Sequence, residues 1–424
     1  MYLNRKKISN IVITLILLLP ILKYYFVPII NIGFETVFFA IITGLLVLLR
    51  AIAPHPLKQL GSSRNAFLCF ALWCIFLNLF ISLMYSIDEA PNMLINIVIP
   101  CLVIVLLMSA DLDFSGAFSI YTFVMYIIMA VFFFQHVLNI FDLKLSFKIP
   151  FFSFTSAWDY LNTHVYFGMR TVPTALFCEP AHLAEYIVPY LAICLFMADK
   201  GGKIHIKRAV FVTIVLAMST SGNGIISGMI VWALYFVLNF IKEGKYINLK
   251  VVWLTLAFVI TAIIVYLNSE SIRNMFDILF VNKSGGSYTK ANYRIYRGFD
   301  YFLQLPLEYK IFGVGLGNMN YFSHVLGISS VFDSDHLAFE FFSMITQLLL
   351  YFGLIGFFLF GLHMVKLWLR GGRVCRVCIV ASVAIWFSSQ MLFTSTHIFY
   401  LLIILFTFVA DGQKKNSLRM DDKY

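Results

Sequence analysis

Charged side chains are scarce in this chain. Asp, Glu, Lys and Arg make up 12% of its 424 residues, whereas soluble domains carry roughly 25%. Hydrophobic residues make up 61%, and no soluble fold of this length has enough interior to hide so much apolar surface. The composition therefore excludes a soluble enzyme or soluble binding module. It predicts one integral membrane domain over residues 1–424.

Several patterns that would carry metal or redox chemistry are also missing. Cys375-Arg-Val-Cys378 has the spacing of a redox or zinc pair, but no second pair and no βαβ pattern accompanies it. No His-x-x-x-His pattern occurs, and Asp333 with Asp335 is a thin basis for a metal site. We therefore expect neither a metal nor another cofactor.

Twelve apolar runs predict membrane-spanning helices, which need about 20 mostly apolar residues. They lie near residues 8–27, 30–49, 65–86, 92–109, 117–138, 180–198, 208–220, 222–241, 249–267, 339–363, 375–393 and 396–410. Ser219-Thr-Ser-Gly-Asn-Gly224 joins the short seventh run to the eighth, so this pair is either two spans or a broken, re-entrant hairpin. The sequence thus predicts an all-α polytopic membrane protein.

The basic residues set the predicted orientation. The net charge of +10 could indicate a nucleic-acid partner. Most Lys and Arg, however, lie in short segments between apolar runs, which is the positive-inside pattern of membrane proteins. We therefore expect no nucleic-acid partner, and cytoplasmic N- and C-termini. Two long segments, 139–179 and 268–338, then form loops on the outer face.

The second long loop contains a predicted amphipathic helix at residues 291–304. Its apolar face is expected to hold Ile295, Phe299 and Phe302. The opposite face is expected to hold Arg294, Arg297 and Tyr301. Two guanidinium groups on one face suit a diphosphate, because each can bind phosphate oxygens through two hydrogen bonds. Alternatively, both arginines pair with Asp300 or anchor the loop to lipid headgroups.

Two further motifs follow in the same loop. Gly313-Val-Gly-Leu-Gly-Asn318 lacks the context of a nucleotide-binding loop, and predicts a tight turn with positive φ whose N–H groups approach a ligand or a packed helix. His336 follows Asp333-Ser-Asp335 just before the tenth predicted span. A His beside a carboxylate is a candidate general base, while Asp333 or Ser334 could instead cap the helix.

The sixth predicted span opens with Phe177-Cys-Glu179-Pro180-Ala-His182. Pro180 suits the first helical position. Glu179, His182 and Tyr186 are then expected along one face. Glu185 is expected about one turn into the membrane, where ionisable groups usually face a protein interior or a water-filled cavity. Arg170 precedes them in the first long loop. Alternatively, this stretch is simply a capped helix end.

Together these features resemble the O-antigen polymerase and O-antigen ligase superfamily of bacterial envelope enzymes. The motifs that carry the resemblance are Phe177-Cys-Glu179-Pro180-Ala, Ser219-Thr-Ser-Gly-Asn-Gly224, the pair Arg294 and Arg297, Phe312-Gly313-Val-Gly315-Leu-Gly317-Asn, His336 before a late span, and Gly353-Leu-Ile-Gly356. In order, they cover nearly the whole chain. The ligase branch usually has His-Asn, whereas Leu337 follows His336 here, which favours a polymerase.

The resemblance implies a GT-C-like glycosyltransferase in the bacterial cytoplasmic (inner) membrane, with an active site that faces the periplasm. It implies undecaprenyl-diphosphate-linked glycans as donor and acceptor, with Arg170, Arg294 and Arg297 on the lipid diphosphate. His336 or Glu179 would take the proton of the acceptor hydroxyl. Membrane lipids and a chain-length regulator are further expected partners. Two alternatives stay open: an O-antigen ligase, and a lipid-linked oligosaccharide flippase or other transporter.

Overall fold

The fold is almost entirely helical. The computed structural model describes residues 5–27, 32–52, 60–85, 90–141, 153–154, 173–197, 203–219, 221–240, 290–330 and 342–421. Helices make up 84% of these residues. The predicted ninth span, 249–267, lies outside them.

Fourteen helices and three short strands are described. The first five helices are α1 (Arg5–Leu22), α2 (Phe34–Ile52), α3 (Gly61–Tyr85), α4 (Ala90–Ser109) and α5 (Ala117–Ile140). The next six are α6 (Pro180–Met197), α7 (Lys203–Met218), α8 (Gly222–Phe240), α9 (Lys290–Gln304), α10 (Leu307–Phe312) and α11 (Met319–Leu326). The last three are α12 (Met344–Arg370), α13 (Arg373–Trp386) and α14 (Ser395–Asp421). The strands are β1 (Tyr25–Val27), β2 (Ile32–Gly33) and β3 (Ser153–Phe154).

Apolar runs were a sound guide to helix positions, because a helix lies at every predicted span inside the described residues. Five of these helices, α2, α3, α5, α6 and α12, are long and apolar enough to cross a membrane. Shorter apolar stretches lie in α4, α8 and α14. Large apolar side chains also cover the outside of the bundle, including Leu83, Ile140 and Phe358. A membrane-embedded helical protein accounts for this surface.

The bundle is built around α6. Every side chain from Leu183 to Phe196 is buried. Helices α7, α8 and α13 pack against it. Because α6 begins with the Glu179-Pro180 motif, the most enclosed helix of the described bundle also carries one of the two candidate sites.

A small antiparallel sheet was not predicted. Strand β1 pairs with β2 through Phe26 and Gly33, and with β3 through Tyr25 and Phe154. The prediction that the first span continues to residue 27 is therefore wrong at its end, since α1 stops at Leu22. Strands of two or three residues are too short to show an alternating pattern in an apolar sequence. The sheet ties the connection between α1 and α2 to the first long loop.

Helix α12 is broken at Gly353, which has φ 66° and ψ −172°. A break of this kind interrupts the helical hydrogen bonds of the preceding turn. Other donors take up the carbonyls there: Val314 N–H donates to Leu350 O (3.0 Å), Gly315 N–H to Tyr351 O (2.8 Å) and Trp73 Nε1–H to Phe352 O (3.0 Å). Broken backbone within a membrane domain is tolerated when protein groups replace the lost hydrogen bonds in this way.

The glycine motif of the second loop, residues 313–318, packs against α12 at the Gly353 break. Gly313, Gly315 and Gly317 all have positive φ, which confirms the predicted tight turn. A Cβ on Gly313 would lie 2.3 Å from the Tyr351 oxygen, and one on Gly353 would lie 2.3 Å from the Ile311 oxygen. The two backbones therefore interlock through glycine. The partner of the motif in this structure is a packed helix.

Candidate functional site

The first turn of α6 meets the turn that follows α1. The Tyr24 hydroxyl lies 2.9 Å from Nε2 of His182, and their ring centroids are 4.8 Å apart. On the other side of the imidazole, Sγ of Cys178 lies 3.8 Å from Nδ1. Both ring nitrogens of His182 therefore have a hydrogen-bonding neighbour, and the ring orientation is fixed.

Three carboxylates act electrostatically on Tyr24: Glu35 in α2, Glu179 just before α6, and Glu185 in α6. We define the α6 cluster as Tyr24, Glu35, Cys178, Glu179, His182 and Glu185. Burial is the main cause that raises the pKa of the Tyr24 hydroxyl well above its usual value, and the neighbouring Cys178 and the three glutamates add to the shift. The tyrosine therefore stays protonated at physiological pH. The carboxylates therefore act in the same direction as burial, against loss of the Tyr24 proton.

The glutamates are held by the bundle itself. Glu35, in the first turn of α2, accepts a hydrogen bond of 2.7 Å from the backbone N–H of Ser395 at the start of α14. Glu185 is only 7% exposed, and its backbone carbonyl accepts a 2.7 Å hydrogen bond from the Tyr400 hydroxyl in α14. The cluster is thus a point where the ends of α1, α2, α6 and α14 converge.

A lysine lies next to the α6 cluster, and the cluster's own thiol, Cys178, is protonated. Nζ of Lys23 lies 4.9 Å from the centroid of the Tyr24 ring, a cation–π distance. Burial raises the pKa of the Cys178 thiol, with Glu179 adding to the shift. A thiol kept protonated in this way is a hydrogen-bonding group rather than a nucleophile.

The loop before Glu179 is clamped by one buried side chain of α5. Gln135 Oε1 accepts hydrogen bonds from the N–H groups of Thr174 (3.1 Å) and Ala175 (2.7 Å), while its Nε2 donates to the Ala175 carbonyl (2.9 Å). Ala175 has φ 54°, a conformation that costs a residue with a Cβ about 1–2 kcal/mol. The Gln135 bonds hold this strained turn, which sets the approach of the chain to Glu179.

The Ser219–Gly224 stretch closes α8 onto the same part of α6. Ser219 Oγ donates to the Leu216 carbonyl (2.8 Å), and Gly224 N–H donates to Ser221 Oγ (3.3 Å). A Cβ on Gly224 would lie 2.5 Å from Cβ of Ala184, the residue before Glu185. The motif therefore packs against α6 next to Glu185. It forms the interruption between α7 and α8.

The second candidate site is the side chain of Arg297 in α9. This residue is only 2% exposed. Its guanidinium carbon lies 5.9 Å from the ring centroid of Tyr301 and 5.4 Å from that of Phe342, and the two rings meet edge to face at 5.9 Å. We call Arg297, Tyr301 and Phe342 the Arg297 pocket.

Among the side chains of α9 that the structure describes, from Tyr296 onward, the buried ones include Arg297 and Tyr301 of the predicted polar face. The buried positions are Arg297, Gly298, Tyr301 and Leu305, whereas Phe299 and Phe302 are only partly buried. The reason is Gly298, because a Cβ there would lie 2.4 Å from Cβ of Thr346 in α12. Close approach of two helices at a glycine outweighs the preference of phenylalanine for the interior.

The sequence left open that Arg294 and Arg297 instead form ion pairs with Asp300. The Asp300 carboxylate accepts hydrogen bonds from Ser330 Oγ (2.6 Å) and Gln304 Nε2 (3.1 Å). Gln304 Nε2 also donates to the Ser329 carbonyl (2.9 Å). These bonds fasten the C-terminal half of α9 to the segment that follows α11.

The predicted site residues divide into three groups. Glu179 and Arg297 are described, at the start of α6 and within α9. Arg294 lies in α9, where the structure describes its backbone but not its side chain. Arg170 and His336 lie outside it altogether.

A path of contacts joins the two candidate sites. Phe342 of the Arg297 pocket leads into α12, where Met344 N–H donates to the Ser389 carbonyl (2.9 Å). Six residues further on, Ser395 N–H donates to Glu35 of the α6 cluster. Both sites therefore lie at the end of the bundle where α6, α12 and α14 begin.

Sequence analysis missed Tyr24, Glu35 and Gln135. Glu35 could have been found, because it is an acidic residue within the second predicted span, 30–49, and the argument that singled out Glu185 applies to it as well. Tyr24 gave no signal, since it lies 158 residues from His182 in the chain. Gln135 is a single amide in a long apolar run, and only its contacts show its role.

The two candidate sites differ in their chemistry. Arg297 supplies a positive charge, whereas the α6 cluster supplies groups that can donate or accept protons. Among the side chains that the structure describes, no three His, Cys, Asp or Glu residues are arranged to hold a metal ion. Comparison of the chain with protein-family models and with curated proteins finds no match.

Proposed function

We propose that this protein is a membrane glycosyltransferase that polymerises undecaprenyl-diphosphate-linked oligosaccharide units at the outer face of the bacterial inner membrane. The observation that carries the proposal is the convergence of the α6 cluster and the buried Arg297 at one end of an apolar helical bundle. Ionisable groups are costly inside a membrane and mark functional sites there. The order of motifs that resembles the O-antigen polymerase superfamily supplies the reaction class.

In the proposed reaction, a hydroxyl oxygen of the acceptor sugar attacks the anomeric carbon of the donor. The bond from that carbon to the phosphate oxygen breaks, and its electron pair leaves with undecaprenyl diphosphate. Arg297, with Arg170 and Arg294, would bind the diphosphate and stabilise the negative charge that develops on it. The Arg297 side chain lies against Tyr301 and Phe342, and the proposal requires that the diphosphate reaches it there.

The acceptor hydroxyl also loses a proton. Glu179 or His336 is the proposed group that receives it, and Glu179 belongs to the α6 cluster. A positioned base of this kind contributes typically 10²- to 10⁴-fold to the rate. No nucleotide is required, because the donor already carries its leaving group.

Transport of a lipid-linked oligosaccharide is the second candidate function. The break of α12 at Gly353 and the buried Glu185 favour it, since transporters often bind substrates at discontinuous helices that carry ionisable groups. The convergence of the charged groups at a bundle end, rather than at mid-depth, favours the transferase. An O-antigen ligase would use the same donor and differ only in its acceptor.

The test is transfer by the purified protein in vesicles that contain a synthetic undecaprenyl-diphosphate repeat unit as both donor and acceptor. A polymerase extends the glycan and releases undecaprenyl diphosphate. A ligase extends nothing until a lipid A core acceptor is added. A flippase moves the donor between leaflets without release of diphosphate, and that result would overturn the transferase proposal.

The diphosphate role is tested by Arg297→Lys, which keeps the charge and loses the two-pronged geometry. We expect a loss of more than about 30-fold in transfer, since truncation of a buried charge-assisted contact costs roughly 2–5 kcal/mol. Lys310→Met, a cation removed from the neighbouring helix α10, is the matched control and should transfer normally. Equal activity of Arg297→Lys and the wild type would remove Arg297 from the diphosphate site.

A further inference from the structure

Helices α10 and α11, with the glycine turn between them, lie along α3, one of the helices that are long and apolar enough to cross a membrane. We call residues 307–326 the α10–α11 hairpin. In α10, the Tyr309 hydroxyl lies 2.8 Å from that of Tyr85, the last residue of α3. At the end of α10, the Phe312 ring packs against Trp73, with centroids 6.1 Å apart. At 1.5 Å per residue, Trp73 lies about 18 Å from Tyr85 along the axis of α3. The turn of the hairpin therefore lies beside the middle of a candidate membrane span.

The second arm of the hairpin returns to the same end of α3. The Phe322 ring in α11 lies 5.1 Å from the Tyr85 ring and 5.0 Å from the Tyr309 ring, centroid to centroid. The chain thus runs from the Tyr85 end of α3 to its middle in α10, turns, and comes back in α11.

The backbone of the turn is satisfied by protein groups. Four consecutive N–H groups, those of residues 313–316, donate to protein oxygens. The first donates to the Tyr309 carbonyl (2.8 Å), the next two to α12, and the last, that of Leu316, to Oδ1 of Asn78 in α3 (3.0 Å). Non-helical backbone is tolerated at membrane depth only where it is buried in protein or lines a water-filled cavity. The turn meets this condition, and it gives the buried amide of Asn78 a partner in an otherwise apolar part of α3.

The outside of the turn continues the lipid-facing side of α3. Phe312 is 47% exposed, and Phe76 and Phe80 of α3 are exposed as well. A row of aromatic rings joins them, from Phe312 to Trp73, then to Phe76 and Phe80, with successive centroids 6.1, 6.2 and 6.2 Å apart. Exposed phenylalanines on a helix that crosses a membrane contact lipid. The exposed face of the turn therefore belongs to the same apolar surface.

Polar side chains of the hairpin lie nearer its open end. Glu308 and Asn320 are exposed, and each is next in the chain to a tyrosine that contacts Tyr85. His324, also exposed, lies two residues beyond Phe322. The side chains that favour water are thus grouped near the end of α3, where a span meets the membrane surface.

We propose that the α10–α11 hairpin is re-entrant: it inserts into the bilayer beside α3, Asn78 holds its turn there, and the exposed side chains of the turn contact lipid acyl chains. The occupant of this apolar face is bilayer lipid, because the face is continuous with that of α3. The inference does not depend on the proposed transferase function. It changes the expectation that all of residues 268–338 lie outside the membrane.

A nitroxide label measures the depth of the turn in phosphatidylcholine vesicles. Of the seven native cysteines only Cys69 is exposed, so Cys69→Ala gives a full-length background in which one introduced cysteine is labelled. We expect a label at Phe312→Cys to collide with dissolved oxygen and to be shielded from a water-soluble nickel complex, as a label at Phe76→Cys on α3 should be. The nickel complex should reach a label at His324→Cys. Equal nickel accessibility at Phe312→Cys and His324→Cys would overturn the proposal.

A second measurement tests what holds the turn. With the label at Phe312→Cys, Asn78→Ala removes the acceptor of the Leu316 N–H, and nickel accessibility should rise toward the value at His324→Cys. Ser82→Ala is the matched control, because the Ser82 hydroxyl bonds only within α3, to the Asn78 carbonyl, and it should leave the label shielded. An unchanged label in Asn78→Ala would contradict the role of Asn78. If Phe312→Cys does not fold, Leu316→Cys in the same turn takes its place, and free nickel access there would equally overturn the insertion.

Discussion

Helices α2 and α6 are apolar and nearly equal in length, with 19 and 18 residues, but they lie in opposite environments. In the most apolar stretch of each, buried residues make up 22% of α2 and 78% of α6. The more enclosed helix is also the less apolar one. In a bilayer the most apolar surface faces lipid, so polar residues within an apolar helix mark its position near the centre of the bundle.

The exposed helix α2 and the interior of the bundle also differ in the continuity of their backbone. Helix α2 has no break and contributes one residue, Glu35, to the α6 cluster. The backbone is interrupted instead at Ala175 before α6, between α7 and α8, and at Gly353 within α12. Each interruption is secured by named contacts, so the interior of this bundle should tolerate substitution far less than its lipid-facing side.

The largest effect is expected at the interlock between the second loop and α12. Gly353→Ala adds a Cβ 2.3 Å from the Ile311 carbonyl, at a backbone φ of 66°. We expect a loss of about 3 kcal/mol or more, from left-handed strain together with the clash. Gly361→Ala in the same helix meets nothing within 4 Å, and should leave the protein unchanged or slightly more stable. Thermal unfolding in detergent measures both, and equal melting temperatures would disprove the interlock.

The next effect compares isoleucines of the two helices. Ile187 in α6 is fully buried, whereas Ile41 in α2 is 46% exposed. Ile187→Ala should cost about 2–4 kcal/mol because it leaves a cavity. Ile41→Ala should cost under about 1 kcal/mol, since lipid fills the space. Denaturant unfolding of the two variants checks the order, and a larger loss from Ile41→Ala would reverse our assignment of interior and lipid-facing helices.

Gln135→Leu should destabilise the protein by about 2–3 kcal/mol, because it leaves buried backbone groups of Thr174 and Ala175 without their hydrogen-bond partner. It should also lower transfer more than its stability loss explains, since the loop that carries Glu179 loses its clamp. Gln135→Glu keeps the acceptor oxygen, and should lose less. The measurement pairs melting temperature with initial rate at 15 °C below it. An unchanged rate in Gln135→Leu would show that the clamp does not position Glu179.

The smallest effect is expected at the opposite end of the bundle. Arg5 and Asp111 form an ion pair of 2.6 Å, with side chains 43% and 25% exposed. Solvent-exposed pairs contribute 0–1 kcal/mol, and salt weakens them. Arg5→Gln should therefore lower stability by less than about 1 kcal/mol, and by less still in 1 M salt. A loss that salt does not change would indicate a packing role for Arg5 instead.

Much of the fold follows from local patterns in the sequence. The apolar runs placed the helices, and the spacing of Gly313, Gly315 and Gly317 predicted positive φ, because both signals depend on neighbouring residues alone. The pattern that placed an amphipathic helix at α9 does not say which of its faces is buried, because it ignores how closely helices approach. Gly298 decides that contact, and its partner Thr346 lies in another helix.

The candidate site was only partly predictable for the same reason. Glu179 and Arg297 were found from motifs, whereas Tyr24 and Glu35 are brought to the site by contacts across most of the chain. Tyr24 lies near the end of the first predicted span, 8–27, where it resembles any interfacial aromatic residue until the fold places His182 beside it. Long-range pairing of this kind carries no signal in a single sequence.

The hydrogen bond between Glu35 and the N–H of Ser395 joins residues 360 positions apart. During synthesis Ser395 is therefore made 360 residues after Glu35. The α6 cluster therefore reaches its final geometry only after α14 has joined the bundle. A ribosome that stops early leaves a product with most of its helices but an incomplete site. Assembly of the candidate reaction centre thus depends on α14 as well as on the helices made before it.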